Sequence, residues 1–221
     1  MIIDTDDIAV RRIDPIQALP ADRTALIIVD MMVRFCDAQW LAGGDAERAA
    51  WFTSELDRII PKIGVALDAA RASGALVVHV VNARWTLDGR DAVPYARGRD
   101  YDLFDTQPMS VVEPLAPREG EVMVRKVGSS AFTGTGLEFI LRNARIEHVV
   151  LCGQYGNACV FYALIQSREL GFDNYWLEDG ILYSSEMNAH LFPALVGASW
   201  GLLASSEEIG SALFPPALDS G

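Results

Sequence analysis

Histidine, cysteine and basic residues are the scarce classes in this sequence, and each shortage argues against a class of function. The 221 residues include three histidines and three cysteines, and 18 Lys and Arg stand against 30 Asp and Glu, a formal net charge of −12. A chain this acidic is a poor partner for nucleic acid or an anionic membrane surface. Three scattered cysteines do not make a disulfide framework and are typical of a reducing compartment.

Long apolar runs are absent as well. No run approaches the roughly 18 residues needed to cross a bilayer. The first ten residues, MIIDTDDIAV, lack the basic-then-apolar order of a signal peptide. We therefore expect a cytoplasmic protein that has no membrane partner. With 51% hydrophobic residues, the chain can bury one full core.

The chain divides into three parts. Pro15 and Pro20 make residues 1–23 an extended arm. Residues 24–214 are predicted to form a single domain, and Pro215-Pro216 opens a short tail, residues 215–221.

Short apolar runs alternate with helix-compatible segments through the predicted domain. Such runs are typical of strands buried on both faces of a parallel sheet. The alternation predicts an α/β fold of three layers, α-β-α, around a mostly parallel, Rossmann-like sheet. The predicted strands are residues 24–29, 75–81, 122–124, 148–152, 172–177 and 199–204. The predicted helices are residues 46–73, with a kink or break at Pro61, and 136–144, 159–170, 185–196 and 207–213.

Three polar residues lie at or beyond the carboxyl ends of predicted strands. Asp30 follows the first strand, Lys126 follows the strand at 122–124, and Cys159 follows the glycine-rich turn GQYGNA. Taken singly, Asp30 is as well explained as a cap, and Lys126 as a solvated surface charge. Cys159 sits where a helix begins, and free N–H groups and the helix dipole there favour a thiolate.

The carboxyl ends of parallel strands lie at one edge of a sheet, so these three groups can converge. A carboxylate beside a thiol can take its proton when the sulfur attacks. A lysine beside both would keep Asp30 ionised and lower the pKa of the thiol. Backbone N–H groups between Gly153 and Cys159 can bind an oxyanion. The chemistry this set favours is acyl transfer to water through a thioester.

These blocks resemble the isochorismatase-like cysteine hydrolase superfamily, which includes nicotinamidases, N-carbamoylsarcosine amidohydrolases and isochorismatase. The matching segments are TALIIVDMMVRFCD, VRKVGSSAFTGTGLEFILR and IEHVVLCGQYGNACV, and the resemblance spans residues 24–204. It implies a six-stranded parallel sheet, an Asp30–Lys126–Cys159 triad and amide hydrolysis through a Cys159 thioester.

The resemblance also implies the structure of the turn before Cys159. It places a cis peptide bond between Gln154 and Tyr155. It assigns the backbone N–H groups of Tyr155 and Cys159 to an oxyanion hole.

The sequence departs from the family pattern at several positions. Met32 stands where many members have Gln, and Gly156 where many have Thr. The segment VNARWTLDGRD contains no histidine, so the Asp–His–His metal site of nicotinamidases is missing. We expect neither a metal nor a cofactor. Isochorismatases have glycine in place of the cysteine, so Cys159 favours C–N over ether hydrolysis.

Residues 82–107 are predicted to form a long loop that covers substrate or contacts another subunit. Arg84 in this loop is a candidate ligand for a substrate carboxylate. Candidate pocket walls are aromatic: Phe35, Trp85, Phe132, Tyr155 and Phe161. Each of these could equally belong to the core. His79 is interpreted as a core residue, as are Cys152 and Cys36.

The predicted function is therefore hydrolysis of a small-molecule amide, with release of ammonia or an amine. The first alternative is an isochorismatase-type vinyl ether hydrolase. The second is a catalytically silent α/β module that binds or assembles through its arm and loop. We expect a homo-oligomer, a dimer or tetramer, because Trp and Tyr side chains in the loop fit a contact between chains.

Overall fold

The computed structural model describes residues 18–86, 88–96 and 111–214. Most of the predicted arm, the tail at 215–221, and residues 97–107 of the predicted loop lie outside the described residues. Among the described residues, no helix is both long and apolar enough to span a bilayer.

The sheet is six-stranded and parallel throughout, as predicted. The strands in the described residues are β1 Leu19–Pro20, β2 Thr24–Val29, β3 Leu76–Asn82, β4 Val122–Lys126, β5 His148–Gln154, β6 Asp173–Leu182, β7 Leu202–Ala204 and β8 Leu213–Phe214. The strand order in the large sheet is β4-β3-β2-β5-β6-β7, so the sheet starts near its middle with β2 and builds outward to both edges. Strands β1 and β8 pair with each other in a small parallel sheet.

Six α-helices flank the sheet within the described ranges. They are α1 Ala38–Ala42, α2 Ala46–Ser73, α3 Leu137–Asn143, α4 Cys159–Glu169, α5 Glu186–Leu195 and α6 Ser206–Ala212. A kink or a break was predicted at Pro61; α2 runs through that residue without interruption, so the alternative of a break is wrong. Gly74 ends α2 in the left-handed conformation that glycine adopts without steric cost.

The last two predicted strands have different bounds in the structure. Strand β6 continues past the predicted end at Leu177 to Leu182, and its register against β5 shifts between Leu151 and Gly153. Strand β7 begins at Leu202, because Val196–Trp200 continue α5 as a π-helical segment.

The core consists of two apolar layers, one on each face of the sheet. Along β2, Leu26 and Ile28 face the layer that contains α2. Ala25, Ile27 and Val29 face the layer that contains α3 and α4. This alternation is what a strand buried on both faces requires. The same alternation determines which face of the sheet the side chain after each strand would point to.

Candidate active site

Asp30, Lys126 and Cys159 meet at the carboxyl edge of the sheet. Lys126 Nζ lies 2.8 Å from Asp30 Oδ2 and 3.4 Å from Cys159 Sγ. Asp30 and Lys126 are almost completely buried, at 2% and 1% exposure, and Cys159 is half-buried. The geometry thus brings together the three residues that the sequence predicted to converge.

Asp30 reaches this cluster because its backbone conformation is unusual. Continued alternation along β2 would place its side chain beside Ile28 on the α2 face. Lys126 lies two residues after Val124 in β4 and therefore faces the same layer as Val124, the layer opposite to that of Ile28. The φ angle of Asp30 is 56°, in the left-handed region that few residues other than glycine adopt. The left-handed conformation interrupts the alternation at Asp30, so the carboxylate points to the same side of the sheet as Lys126.

Lys126 is held as a buried cation by three acceptors. Its Nζ donates to the carbonyl oxygen of Gly128 at 2.9 Å, in addition to Asp30 and Cys159. Burial is the largest influence and lowers the pKa of Lys126, but the Asp30 carboxylate and the hydrogen bonds to Asp30 and the Cys159 sulfur together outweigh it and raise the pKa. The ammonium form is therefore the one that this site stabilises.

Cys159 does not have the lowered pKa that the sequence predicted. Burial is the largest influence and raises the pKa of its thiol to about 12, and the Asp30 carboxylate acts in the same direction. Lys126 lowers the pKa but does not offset the other two. The resting site is thus a neutral thiol beside an ion pair, because a buried thiolate next to a carboxylate is costly.

The turn before Cys159 is tightly packed. The peptide bond between Gln154 and Tyr155 is cis, as the resemblance implied. Gly153 has a φ of 104°, and a Cβ at this residue would overlap the backbone carbonyl of Val29. A Cβ at Gly156 would overlap the ring of Tyr183. The Tyr183 ring therefore accounts for glycine at this position.

Cys159 is the first residue of α4, so its N–H lies before the first helical hydrogen bond. Val160 donates to the carbonyl of Tyr155, and Tyr162 donates to that of Ala158. The N–H of Cys159 has no acceptor among the described residues. It is an available donor beside the Cys159 sulfur.

Asn157 joins the turn to the segment between β6 and α5. Its side chain donates to Ser184 Oγ at 2.9 Å and accepts from the Ser184 N–H at 3.0 Å. Ser184 Oγ also contacts Asn188 Nδ2 at 2.9 Å. No local sequence pattern predicts this link, because it joins residues 27 positions apart.

The predicted pocket residues occupy different surroundings. Tyr155 packs 6.4 Å from Phe52 of α2, measured between ring centroids, and Phe35 lies 5.4 Å from Trp40. Phe161 contacts Phe192 edge-on at 5.3 Å.

Phe132 is a core residue in the structure. It is 8% exposed and stacks 6.5 Å from Phe172, which immediately precedes β6 at the amino edge of the sheet. This position favours the core interpretation that the sequence left open, rather than contact with a substrate at Cys159.

The described part of the predicted loop is ordered by its own polar groups. Asp91 accepts from the backbone N–H of Trp85 at 2.7 Å and from Thr86 Oγ1 at 2.6 Å. Arg84 donates to the carbonyl of Gly89 at 3.3 Å. Trp85 is 65% exposed, and the Arg125 guanidinium lies 4.6 Å from its ring centroid.

Tyr95, near the middle of the predicted loop, contacts the segment beside the site. Tyr95 bonds to Ser129 Oγ through its hydroxyl at 2.9 Å. Ser129 follows Gly128, whose carbonyl binds Lys126. The loop thus contacts the segment that holds the lysine, although the sequence did not single out Tyr95 for this role.

The other two cysteines are unpaired and packed in the core. Cys152 is fully buried, and burial raises the pKa of its thiol. Cys36 is half-buried, packs against the α2 layer, and has a pKa raised to about 12 by burial and by the Asp30 charge. Within residues 18–86, 88–96 and 111–214, no group of three His, Cys, Asp or Glu side chains is arranged to hold a metal ion.

Comparison with known proteins gives a family match over most of the domain. A family model described as the isochorismatase domain matches residues 24–192. The ureidoacrylate amidohydrolase RutB of Klebsiella pneumoniae subsp. pneumoniae is 30% identical over 182 residues, which cover 71% of this chain and 72% of that protein.

Solved structures show the same fold at lower identity. An isochorismatase family protein from Desulfovibrio vulgaris subsp. vulgaris str. Hildenborough superposes with a TM-score of 0.71 at 24% identity, covering 86% of this chain and 98% of that one. The N-carbamoylsarcosine amidase from Thermoplasma acidophilum has a TM-score of 0.65 at 23% identity, covering 84% and 97%.

Proposed function

Because the chain belongs to the isochorismatase domain family, we propose that it is a cysteine hydrolase that cleaves a C–N bond of a small amide. Asp30, Lys126 and Cys159 are the catalytic residues in this proposal, and the intermediate is a thioester on Cys159. One observation supports it above the others: Lys126 Nζ bridges the Asp30 carboxylate and the Cys159 sulfur inside a buried cluster.

In the first half of the reaction the thiol proton passes to Asp30 while Sγ attacks the substrate carbonyl carbon. Asp30 acts as general base because the thiol, with its raised pKa, does not ionise on its own at neutral pH. The carbonyl π electrons move to oxygen, and the N–H groups of Cys159 and Tyr155 bind the oxyanion. Collapse breaks the C–N bond, and the nitrogen takes the proton from Asp30 as it leaves.

In the second half, water replaces the leaving group. Asp30, again a carboxylate, takes a proton from water as the oxygen attacks the thioester carbon. The C–S bond then breaks, the sulfur recovers the proton, and a carboxylic acid is released. Lys126 stays protonated throughout and stabilises whichever of Asp30 and the sulfur carries negative charge.

The names of two relatives indicate where to look for the substrate. One is named for ureidoacrylate and another for N-carbamoylsarcosine. Both substrates carry a terminal carbamoyl group, whose C–N bond can be cleaved by the steps above. We propose that ureido and carbamoyl compounds come first in a screen, followed by simple amides and lactams.

A homo-oligomer, dimer or tetramer, is part of the same proposal. Exposed aromatic side chains such as Trp85 and Tyr95 support it, since aromatic residues are enriched at protein interfaces. Light scattering on the purified protein measures the subunit number directly, and a monomeric mass would contradict this part.

The test is an ammonia-release screen with the wild type, followed by Cys159→Ala on the best substrate. Removal of a nucleophile should lower kcat at least ~1,000-fold. Cys152→Ala is the matched control, because it removes a buried thiol away from the site and should leave kcat unchanged. Mass spectrometry of quenched reactions should show an acyl adduct on the peptide that contains Cys159.

Two outcomes would replace the proposal. Cleavage of a vinyl ether with full activity in Cys159→Ala would indicate isochorismatase-type chemistry without covalent catalysis. Absence of turnover across amides, ureides and ethers would favour the silent binding module.

A further inference from the structure

Gln154 is a buried polar residue at the end of an otherwise apolar strand. It is 2% exposed, and its Nε2 donates to the backbone carbonyl of Asp30 at 2.9 Å and to that of Phe35 at 2.6 Å. A third and longer contact joins Nε2 to Cys36 Sγ at 3.6 Å. The two hydrogens of one amide group therefore fasten both ends of the segment between Asp30 and Phe35.

The other end of the same side chain has no partner. Gln154 Oε1 is buried and accepts no hydrogen bond from the described residues. A buried acceptor without a donor destabilises a fold. An apolar residue of similar size would fill the same space without that cost, so a function limited to packing does not account for a glutamine here.

The hydrogen bond from Gln154 to the Asp30 carbonyl acts on the residue whose backbone conformation directs the carboxylate. Asp30 is the residue whose left-handed backbone turns its carboxylate toward Lys126. Its N–H is fixed by the carbonyl of Val80 at 2.8 Å. Gln154 fixes the carbonyl on the other side of the same residue, so both peptide groups that flank the Asp30 side chain are held.

We propose that Gln154 is a positioning residue: by binding the Asp30 and Phe35 carbonyls, it holds the Asp30 carboxylate against Lys126 and Cys159. This inference rests on the proposed function for its effect on turnover. Its effect on the Cys159 thiol does not depend on any substrate.

The principal variant is Gln154→Met, which keeps the volume and removes both donors. The control is Asn174→Met, which removes another buried amide: its Nδ2 donates to the Phe172 carbonyl at 2.8 Å near the amino edge of the sheet. Both variants should lose stability in urea. If Gln154→Met does not fold, Gln154→Glu takes its place, because a protonated carboxyl keeps the shape and one O–H donor.

The first readout is the alkylation rate of Cys159 by iodoacetamide at pH 8, followed by mass spectrometry of its peptide. The Asp30 charge raises the pKa of this thiol, and a displaced carboxylate should lower it by about one unit. A lower pKa raises the thiolate fraction and reduces its nucleophilicity, so the rate should rise about threefold per unit. Asn174→Met should react at the wild-type rate.

Asp30→Asn provides the internal check. If Gln154 acts through the Asp30 charge, then Gln154→Met should not accelerate alkylation further in an Asp30→Asn background. The same acceleration in both backgrounds would mean that the substitution merely opens the site, and this would overturn the proposal.

The second readout is turnover, once a substrate is in hand. Gln154→Met should lower kcat by about tenfold or more with little change in KM, because a misplaced base affects the reacting step rather than binding. A kcat loss no greater than that of Asn174→Met, together with unchanged alkylation, contradicts the inference. If no substrate is found, the proposed function is contradicted, but the alkylation rates still show whether Gln154 positions the Asp30 carboxylate.

Discussion

Each of the two edges of the parallel sheet contains an ion pair that is largely shielded from water, and the two carboxylates differ in the number of hydrogen bonds that they accept. At the carboxyl edge, Asp30 Oδ2 forms an ion pair with Lys126, while Oδ1 is buried and has no hydrogen-bond partner among the described residues. At the amino edge, the Glu121 carboxylate accepts hydrogen bonds from Arg71 Nε at 2.7 Å and Arg71 Nη2 at 3.0 Å. Glu121 also binds the Arg118 N–H and His79 Nε2.

The surroundings shift the pKa values of Glu121 and Cys159 in opposite directions. Donors around Glu121 outweigh the effect of burial and lower its pKa to about 2. At the other edge burial and Asp30 raise the pKa of Cys159 to about 12. A carboxylate whose oxygens all accept hydrogen bonds stabilises the fold, whereas Asp30 keeps one oxygen without a partner among the described residues, beside a thiol. We therefore expect substitutions at the carboxyl edge to affect chemistry, and those at the amino edge to affect stability alone.

Lys126→Met should have the largest effect, since it leaves the Asp30 charge buried without its partner. The free energy of unfolding should fall by about 3–5 kcal/mol. Turnover should fall at least ~100-fold. Alkylation of Cys159 should slow, because Lys126 lowers the pKa of that thiol. Urea unfolding, kinetics and peptide mass spectrometry measure the three quantities.

The matched control is the double variant with Asp30→Asn and Lys126→Met, in which neither charge is buried. It should recover much of the lost stability but no activity. A single variant that kept wild-type stability and turnover would remove the distinction between the two edges.

Arg71→Met tests the amino edge in the same way. It removes two hydrogen bonds to Glu121 and a third to the carbonyl of Ala116. The free energy of unfolding should fall by about 3 kcal/mol. The alkylation rate of Cys159 and kcat/KM should remain within about twofold of wild type, because the cluster lies at the opposite edge. A loss of activity as large as that of Lys126→Met would show that the two edges are coupled.

The sequence predicted the carboxyl edge well, because its signals are local. Apolar runs mark the strands, and residues directly after them, such as Asp30, fall at one edge by topology alone. Cys159 was placed at a helix start by its glycine-rich turn, and α4 does begin there. His79 was correctly interpreted as a core residue, and it is 1% exposed.

What the sequence did not predict depends on pairing between distant residues. Arg71 and Glu121 lie 50 positions apart, and nothing in either neighbourhood indicates the other. The left-handed backbone of Asp30 and the raised pKa of Cys159 are consequences of packing, which no pattern records. Gln154 does have a local signal: it is a polar side chain at the end of the otherwise mostly apolar run HVVLCGQ.

The pH dependence of stability should separate the amino-edge groups from one another. Glu121 has a lowered pKa in the folded state, so its contribution is present above pH 4.5 and is lost as the pH falls toward 2. The side chain is 11% exposed, and the shift corresponds to about 3 kcal/mol.

Burial lowers the pKa of His79, although its bond to Glu121 opposes this. Its contribution is therefore lost first, as the pH falls below its ordinary value of 6.5. Urea unfolding at a series of pH values should show both losses in the wild type, and Glu121→Gln should lack the one below pH 4.5. An identical acid limb in the two proteins would contradict the assignment to Glu121.

The smallest effect is expected from an exposed ion pair at the same amino edge. Arg23 Nη1 lies 2.9 Å from Glu147 Oε1, a distance similar to those around Glu121, but the side chains are 53% and 55% exposed. Arg23→Ala should change the free energy of unfolding by no more than about 0.5 kcal/mol, because water screens the pair. The change should vanish in 1 M salt, whereas that of Arg71→Met should persist. A loss as large as that of Arg71→Met would mean that charge pairing alone stabilises this edge, and that burial and the number of donors do not distinguish Glu121.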